Sequence, residues 1–158
     1  MRKYLSILGL VAVVLLFTQC ASLNEFKRVE KGASPIGYEQ LDNYFVRNDV
    51  PCTKLQKLIF DSRYDFEKYF GEAAVMGTNG QPTNVKWGKQ YVVAVILPET
   101  DRSTAVTPVN VCQNDKSVIL YYNVQRGEKN SYKIVPFVAV ALDKPADPQG
   151  MEFYFIEK

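Results

Sequence analysis

Histidine is absent from all 158 residues of this chain, and its absence excludes several kinds of site at once. Without it there can be no Ser-His-Asp or Cys-His catalytic set, no histidine-ligated zinc and no imidazole proton shuttle. The three cysteines are also too few for a zinc site made of four thiolates. The sequence therefore predicts neither a metal site nor a cofactor.

Motifs for phosphate, calcium and acyl transfer are missing as well. Gly88-Lys89 lacks the upstream glycine and the Ser or Thr of a phosphate-binding loop. Asp61 and Asp65 are not followed by the oxygen ligands and glycine of an EF-hand loop, and no G-x-S-x-G elbow occurs. We predict that the protein is not an enzyme. A hydrolase that uses two carboxylates distant in sequence is the least favoured alternative.

The first 19 residues have the composition of an export signal. Arg2 and Lys3 precede an apolar stretch over residues 4–17, which small or polar residues follow. As a helix this stretch would span about 22 Å, which is less than the roughly 30 Å of hydrocarbon in a bilayer. We therefore predict a cleaved signal peptide rather than a membrane-spanning anchor.

Cys20 follows the apolar stretch directly. The window FTQC resembles the Leu-(Ala/Ser/Thr)-(Gly/Ala)-Cys sequence that bacterial signal peptidase II cleaves, with Thr18 and Cys20 matching and Gln19 departing from it. The alternative is ordinary cleavage after Ser22. We favour a lipoprotein of the cell envelope in which residues 1–19 are removed. Lipid on Cys20 would hold it at the periplasmic or surface face of the outer membrane.

The charge of the processed chain argues against one class of partner. Loss of Arg2 and Lys3 would reduce the basic residues from 19 to 17, equal to the 17 acidic residues. Nucleic acid is recognised through a surplus of basic side chains. We therefore expect no nucleic-acid partner.

The odd cysteine count calls for an explanation in an exported protein. Lipidation of Cys20 would use one cysteine and leave Cys52 and Cys112 to pair. Two buried thiols are the alternative, because unpaired cysteines are common core residues. We predict a Cys52–Cys112 disulfide.

The remainder of the chain is typical of a tether followed by one β-rich domain. Residues 20–36 are polar, and residues 37–158 contain runs of aromatic and β-branched residues separated by turn clusters such as 114–115 and 126–128. The run QYVVAVIL is apolar throughout, which predicts a strand covered on both faces. Pro136 predicts an edge or a bulge within its strand. We expect a mainly β (α+β) fold, either an antiparallel β-sandwich with meander-like strands or a strongly curved sheet.

One short helix is predicted over about residues 62–70. Asp61 or Ser62 can cap its first turn. Phe66 and Phe70 are four residues apart, which places both rings on one helix face. We expect this face to pack on the sheet.

Residues 71–85 are typical of a long loop, and long loops in compact domains are often functional. The alternative is a plain connector, with the only tryptophan buried in the core. Five residues in and just after this loop are the candidate binding residues: Met76, Asn79, Gln81, Pro82 and Trp87.

Three segments taken together resemble the C-terminal domain of PrcB-like protease-complex subunits and small Bacteroidetes lipoproteins of the same plan. They are DSRYDFEKYFG, VKWGKQYVVAVIL and SYKIVPFVAVALDK. The match spans roughly residues 55–142 and includes Phe66, Tyr69, Phe70 and Pro136. The resemblance implies a β domain that works with a protein partner, and it transfers no catalytic residue.

These observations favour a non-catalytic protein-binding or accessory domain, with a secreted protease as the most specific partner. Carbohydrate binding through exposed aromatic side chains is the alternative. Tyr121-Tyr122 must point to opposite faces of a strand, so we expect one of the two to be exposed. A tyrosine-rich face can bind either protein or sugar.

Overall fold

The computed structural model describes residues 30–73, 80–145 and 150–158. The predicted signal peptide, Cys20, Met76 and Asn79 lie outside the described residues. The chain divides into two compact units, Met1–Ser34 and Pro35–Lys158. In the described part of the first unit, the Ala33 N–H donates a hydrogen bond to the Glu30 carbonyl (3.1 Å).

The described residues form a mainly β fold with one short helix, which confirms the predicted fold class. Their elements in chain order are β1 (Ser34–Pro35), β2 (Glu39–Gln40), β3 (Tyr44–Val46), β4 (Gln56–Phe60), α1 (Arg63–Phe66), β5 (Phe70–Glu72), β6 (Gln90–Ile96), β7 (Thr100–Gln113), β8 (Ser117–Ile134), β9 (Phe137–Asp143) and β10 (Glu152–Glu157).

Two sheets share an apolar core in a sandwich-like arrangement. The first sheet contains β7, β8 and β10 side by side, and the second has the order β2-β9-β6-β4. A separate small sheet pairs β3 with β5 in antiparallel fashion. Buried side chains from both large sheets form what we call the inter-sheet core: Tyr91, Val93, Val95, Leu97, Val106, Val111, Val118, Leu120, Tyr122, Val138, Val140 and Leu142.

The opposite face of the second sheet is also covered. Alternate residues of β6 and β9 point there and join side chains from the helix and the small sheet. We call this group the outer cluster: Leu41, Val46, Cys52, Phe60, Phe66, Phe70, Val85, Val92, Ala94, Ile96, Ala139 and Ala141. The prediction that QYVVAVIL forms a strand buried on both faces is therefore confirmed.

The expected meander is wrong at the end of the chain. β10 runs parallel to β8 rather than antiparallel to its predecessor. The reason is that β9 lies in the second sheet, between β2 and β6, so β10 returns to the first sheet after a crossover. Met151, Phe153 and Phe155 nevertheless share a face, and all three pack against the inter-sheet core.

The predicted turn at residues 126–128 is also wrong, because β8 continues through it to Ile134. This part of β8 pairs with the first half of β7, and shifts of register absorb the extra residues. Gly127 suits the close approach, since a Cβ there would lie 3.3 Å from the Ser103 carbonyl oxygen. Pro136 lies between β8 and β9 rather than inside a strand, and its carbonyl accepts from the Leu97 N–H (2.9 Å).

The helix is shorter than predicted. Ser62 caps α1, and its hydroxyl accepts a hydrogen bond from the Asp65 N–H (3.2 Å). The helix ends at Phe66, and Phe70 begins β5 instead. The two phenylalanine rings do not share a helix face as predicted, but they stack with centroids 4.7 Å apart.

The expectation that one tyrosine of Tyr121-Tyr122 is exposed is wrong. The pair does point to opposite faces, but both side chains are buried. Tyr122 belongs to the inter-sheet core, and the Lys158 ammonium lies 4.5 Å from the centre of the Tyr121 ring.

Candidate functional site

A cleft of about 530 Å³ opens beside the outer cluster. The helix and the small sheet form one side of it, and the end of the predicted loop, together with Trp87, forms the other. Its lining residues are Tyr44, Arg47, Arg63, Phe66, Glu67, Phe70, Gly71, Glu72, Gln81, Pro82, Thr83, Asn84, Val85 and Trp87.

Aromatic rings form the base of the cleft. Phe66 is buried against Phe70, and the Tyr44 ring meets Phe66 edge to face at 5.2 Å. The Trp87 ring lies 5.5 Å from Phe66 and is partly exposed. Aromatic edges and faces attract one another through their quadrupoles, so this base holds its shape while part of Trp87 stays accessible.

Tyr44 connects this base to the opposite wall. Its hydroxyl donates to the Thr83 carbonyl at 2.9 Å. Burial raises the pKa of Tyr44, and the nearby charge of Glu72 raises it further. The phenol therefore stays neutral at physiological pH and keeps its proton to donate.

The wall formed by residues 81–83 is fixed by bonds to the segment before β3. The Asp42 N–H donates to Thr83 Oγ1 (2.9 Å), and the Thr83 N–H donates to the Asp42 carbonyl (3.2 Å). Asn43 has a positive φ of 61°, and its side-chain amide donates to the Gln81 carbonyl at 2.9 Å. Asparagine tolerates this left-handed conformation better than most residues. These bonds hold one wall of the cleft in place.

Charged side chains form the rim. Arg63 pairs with Glu67 and also lies 3.6 Å from Glu72, while Arg47 pairs with Asp49 at 3.1 Å. The Glu67 hydrogen bond is the main reason that the pKa of Arg63 is raised. Because opposite charges alternate on this exposed rim, a ligand can exchange an internal ion pair for one of its own.

Three of the five predicted binding residues line this cleft: Gln81, Pro82 and Trp87. Met76 and Asn79 lie outside the described residues. The sequence reasoning missed Tyr44, Arg63 and Thr83. The i,i+4 spacing of Arg63 and Glu67 could have signalled an exposed, paired helix face, but no local pattern links Tyr44 to Thr83.

The predicted Cys52–Cys112 disulfide is not formed. Cys52 is buried in the outer cluster. Cys112 follows Val111, which points into the inter-sheet core, so Cys112 faces away from that core on the first sheet. The second sheet and the inter-sheet core therefore separate the two thiols. Burial raises the pKa of the Cys52 thiol, with a smaller contribution from Glu99.

The described residues provide few groups for metal or acid–base chemistry. None of their His, Cys, Asp and Glu side chains form a group of three or more suited to a metal ion. Two carboxylates do face the cleft, but Glu67 and Glu72 share the single guanidinium of Arg63. The arrangement as a whole suits binding through aromatic contact and hydrogen bonds.

Comparisons with known proteins do not extend this description. No family model matches the chain, and searches against curated proteins and against solved structures gave no match. The resemblance to PrcB-like subunits therefore stays a prediction. In the part of the chain that the structure describes, no helix has the length and apolar character to cross a bilayer.

Proposed function

We propose that the protein is a non-catalytic binding module of the cell envelope, anchored through lipid on Cys20, and that its cleft holds a segment of a partner protein. The resemblance to protease-complex subunits makes a secreted protease the first partner to test. Neither the comparisons nor the fold names a partner, so the proposal depends on the cleft.

The observation that carries the proposal is the convergence of Tyr44, Arg63 and Trp87 on one cleft. Tyrosine, tryptophan and arginine are the residue types most enriched among the side chains that dominate protein–protein binding energy. The rigid aromatic base offers apolar contact, and the paired charges of the rim offer exchangeable hydrogen bonds. A partner segment with an apolar side chain flanked by polar groups fits this combination.

Site-specific photo-crosslinking tests the proposal. A photoreactive amino acid replaces Gln81 at the cleft or Tyr132, which is 64% exposed on β8, well outside the cleft lining. Crosslinking is carried out in the cell envelope of the source bacterium, followed by identification of the captured protein. We expect capture from position 81 only, and Trp87→Ala to weaken binding of the purified partner at least about tenfold, as for a hot-spot residue.

Two controls separate binding from folding. Trp87→Phe keeps an aromatic ring at the base and should retain most of the affinity. Far-UV circular dichroism should show that Trp87→Ala remains folded. If the photoreactive residue at position 132 captured the partner equally well, or if a folded Trp87→Ala variant kept its affinity, the cleft would not be the binding site.

Glycan binding is the second candidate, favoured by the hydroxyl and amide groups of Thr83, Gln81 and Asn84 that line the cleft with Trp87. Tyr64, the most exposed tyrosine among the described residues, gives it less support, because the Lys68 ammonium lies 4.1 Å from the centre of its ring. Binding on a glycan array that Trp87→Ala abolishes and Tyr132→Ala preserves would favour this candidate over a protein partner.

The anchor is tested separately. Cells are labelled with a lipid precursor, and a Cys20→Ala variant is compared with the unaltered chain. We expect the variant to lose the label and to leave the membrane fraction. A variant that remains equally membrane-bound would show that Cys20 is not the anchor.

A further inference from the structure

β10 is an edge strand of the first sheet, with β8 as its neighbour in the described residues. The Glu152 N–H donates to the Lys116 carbonyl and the Lys158 N–H donates to the Tyr122 carbonyl, each toward β8. Backbone groups alternate in direction along a strand. The backbone N–H and C=O groups of Phe153, Phe155 and Glu157 therefore point away from β8, toward the open edge.

The other edges of the two large sheets carry features that discourage further pairing. β7, which lies next to the other edge of the first sheet rather than at it, contains Pro108 and an irregularity between Pro108 and Asn110, and β2, at an edge of the second sheet, has only two residues. β4 carries Lys57 in its middle, on the side that faces Phe155. Charges, prolines, bulges and short length are the usual ways in which proteins protect an edge.

β10 has none of these protections over its four central residues, which are Phe153, Tyr154, Phe155 and Ile156. All four are partly exposed. Aromatic and β-branched residues are those with the highest strand preference. An edge of this kind is able to form backbone hydrogen bonds with a further strand.

We propose that β10 pairs with β10 of a second copy, antiparallel and centred on Phe155, to join two first sheets into one. Outward-facing residues must pair with outward-facing residues. With Phe155 opposite its own copy, Phe153 faces Glu157 of the second copy, and all outward backbone groups find partners.

The side chains on the opposite face of β10, which alternate with Phe153, Phe155 and Glu157, favour the same register. Glu152 lies opposite Lys158 of the second copy, once at each end of the interface, and Tyr154 lies opposite Ile156. Opposite charges and aromatic–β-branched pairs are both favourable across strands. Moving the centre to Tyr154 or Ile156 removes both charge pairs and leaves part of the outward backbone unpaired. Charge complementarity thus favours a second copy as the occupant.

Charge reversal tests the proposal by sedimentation velocity of the full chain over about 1–100 µM, a range typical of such associations. We expect a concentration-dependent dimer, which Glu152→Lys and Lys158→Glu each weaken about tenfold or more. The double swap, which restores opposite charges, should return the dissociation constant to within about threefold of the original. Glu128→Lys, an exposed change elsewhere, is the matched control and should have no effect.

Disulfide trapping tests the register independently of affinity. Tyr154→Cys with Ile156→Cys should crosslink two copies under mild oxidation, because the two positions face each other. Tyr154→Cys alone should not, since it would need a register centred on Tyr154. A monomer throughout the concentration range, a dimer insensitive to Glu152→Lys, or crosslinking by Tyr154→Cys alone would each overturn the proposal.

Discussion

The inter-sheet core and the outer cluster share the second sheet but are built in different ways. The inter-sheet core consists of valines, leucines and two tyrosines that alternate along long strands. The outer cluster brings together Phe60, Phe66 and Phe70 from three short elements. Regular alternation on paired strands fills space evenly, whereas rings that meet edge to face on short elements leave a cleft beside them. The candidate site lies where the packing is least regular.

The largest expected effects come from removing one large side chain from the outer cluster and, separately, one from the inter-sheet core. Phe70→Ala is expected to lower the free energy of unfolding by about 3–5 kcal/mol and Leu142→Ala by about 2–5 kcal/mol. Trp87 is the only tryptophan and contacts the outer cluster. Phe70→Ala should therefore change its emission in the folded state, while Leu142→Ala should leave it unchanged. Urea unfolding followed by fluorescence and by circular dichroism measures both effects.

A smaller effect is expected where the small sheet covers the outer cluster. A Cβ at Gly71 would lie 2.5 Å from Cζ of the Phe45 ring, but this ring is 44% exposed and can turn away. Gly71→Ala should therefore lower the free energy of unfolding by about 1–2 kcal/mol. In a Phe45→Ala background the same change should be neutral or stabilising, because alanine restricts the unfolded chain. If Gly71→Ala still lowered the free energy of unfolding in the Phe45→Ala variant, contact with the Phe45 ring would not be the cause.

In the inter-sheet core, a substitution of Tyr91 is expected to stabilise the protein rather than destabilise it. Its hydroxyl is buried without a hydrogen-bond partner among the described residues, and unmade hydrogen bonds of this kind are costly. Tyr91→Phe should therefore raise the free energy of unfolding by about 1 kcal/mol. Thermal unfolding should show a higher midpoint for this variant and no change for the exposed Tyr132→Phe. A lower midpoint would indicate that the hydroxyl does make a stabilising contact.

The same residue predicts a dependence on alkaline pH. Burial raises the pKa of Tyr91 to about 12, against about 10 in an unfolded chain. Between these values the unfolded state loses a proton that the folded state keeps, so stability falls as pH rises. Tyr91→Phe should reduce this fall between about pH 10 and pH 12, measured by urea unfolding at each pH. An unchanged slope would contradict the assignment.

The smallest effect is expected at the cap of α1, beside the cleft. The Ser62 hydroxyl accepts from the Asp65 N–H and donates to the Asp65 carboxylate at 2.8 Å. Ser62→Ala should lower the free energy of unfolding by about 0.5–1 kcal/mol and weaken any ligand that contacts Arg63. Ser131→Ala, an exposed change on β8, is the matched control. Equal losses in the two variants would mean that the cap does not matter.

Sequence periodicity predicted the parts of the fold that depend on neighbouring residues. The apolar run of β6 predicted burial on both faces. The spacing of Phe66 and Phe70 predicted two rings on one helix face, but Phe70 lies in β5 and the rings meet across two elements. The turn predicted at residues 126–128 failed because pairing with β7 outweighs local turn preference there. The disulfide failed because cysteine count says nothing about which layer each thiol occupies.

The residues of the candidate site also fall into two groups, those that the local sequence predicts and those that depend on tertiary structure. Gln81, Pro82 and Trp87 could be predicted because an unusually long loop and a single tryptophan are visible in the sequence. Tyr44 could not, because its bond to the Thr83 carbonyl joins residues 39 positions apart. That bond depends on the small sheet and on the turn at Asn43, which place the two segments side by side.

By itself, the sequence determined the fold class, the strand buried on both faces and the absence of histidine chemistry, because these follow from composition and local period. Tertiary structure decided that β10 runs parallel to β8, that the two thiols lie in different layers and that Tyr44, Arg63 and Trp87 meet at one cleft. Each of these depends on which distant strands pair, and pairing is selected by the packing of the whole domain.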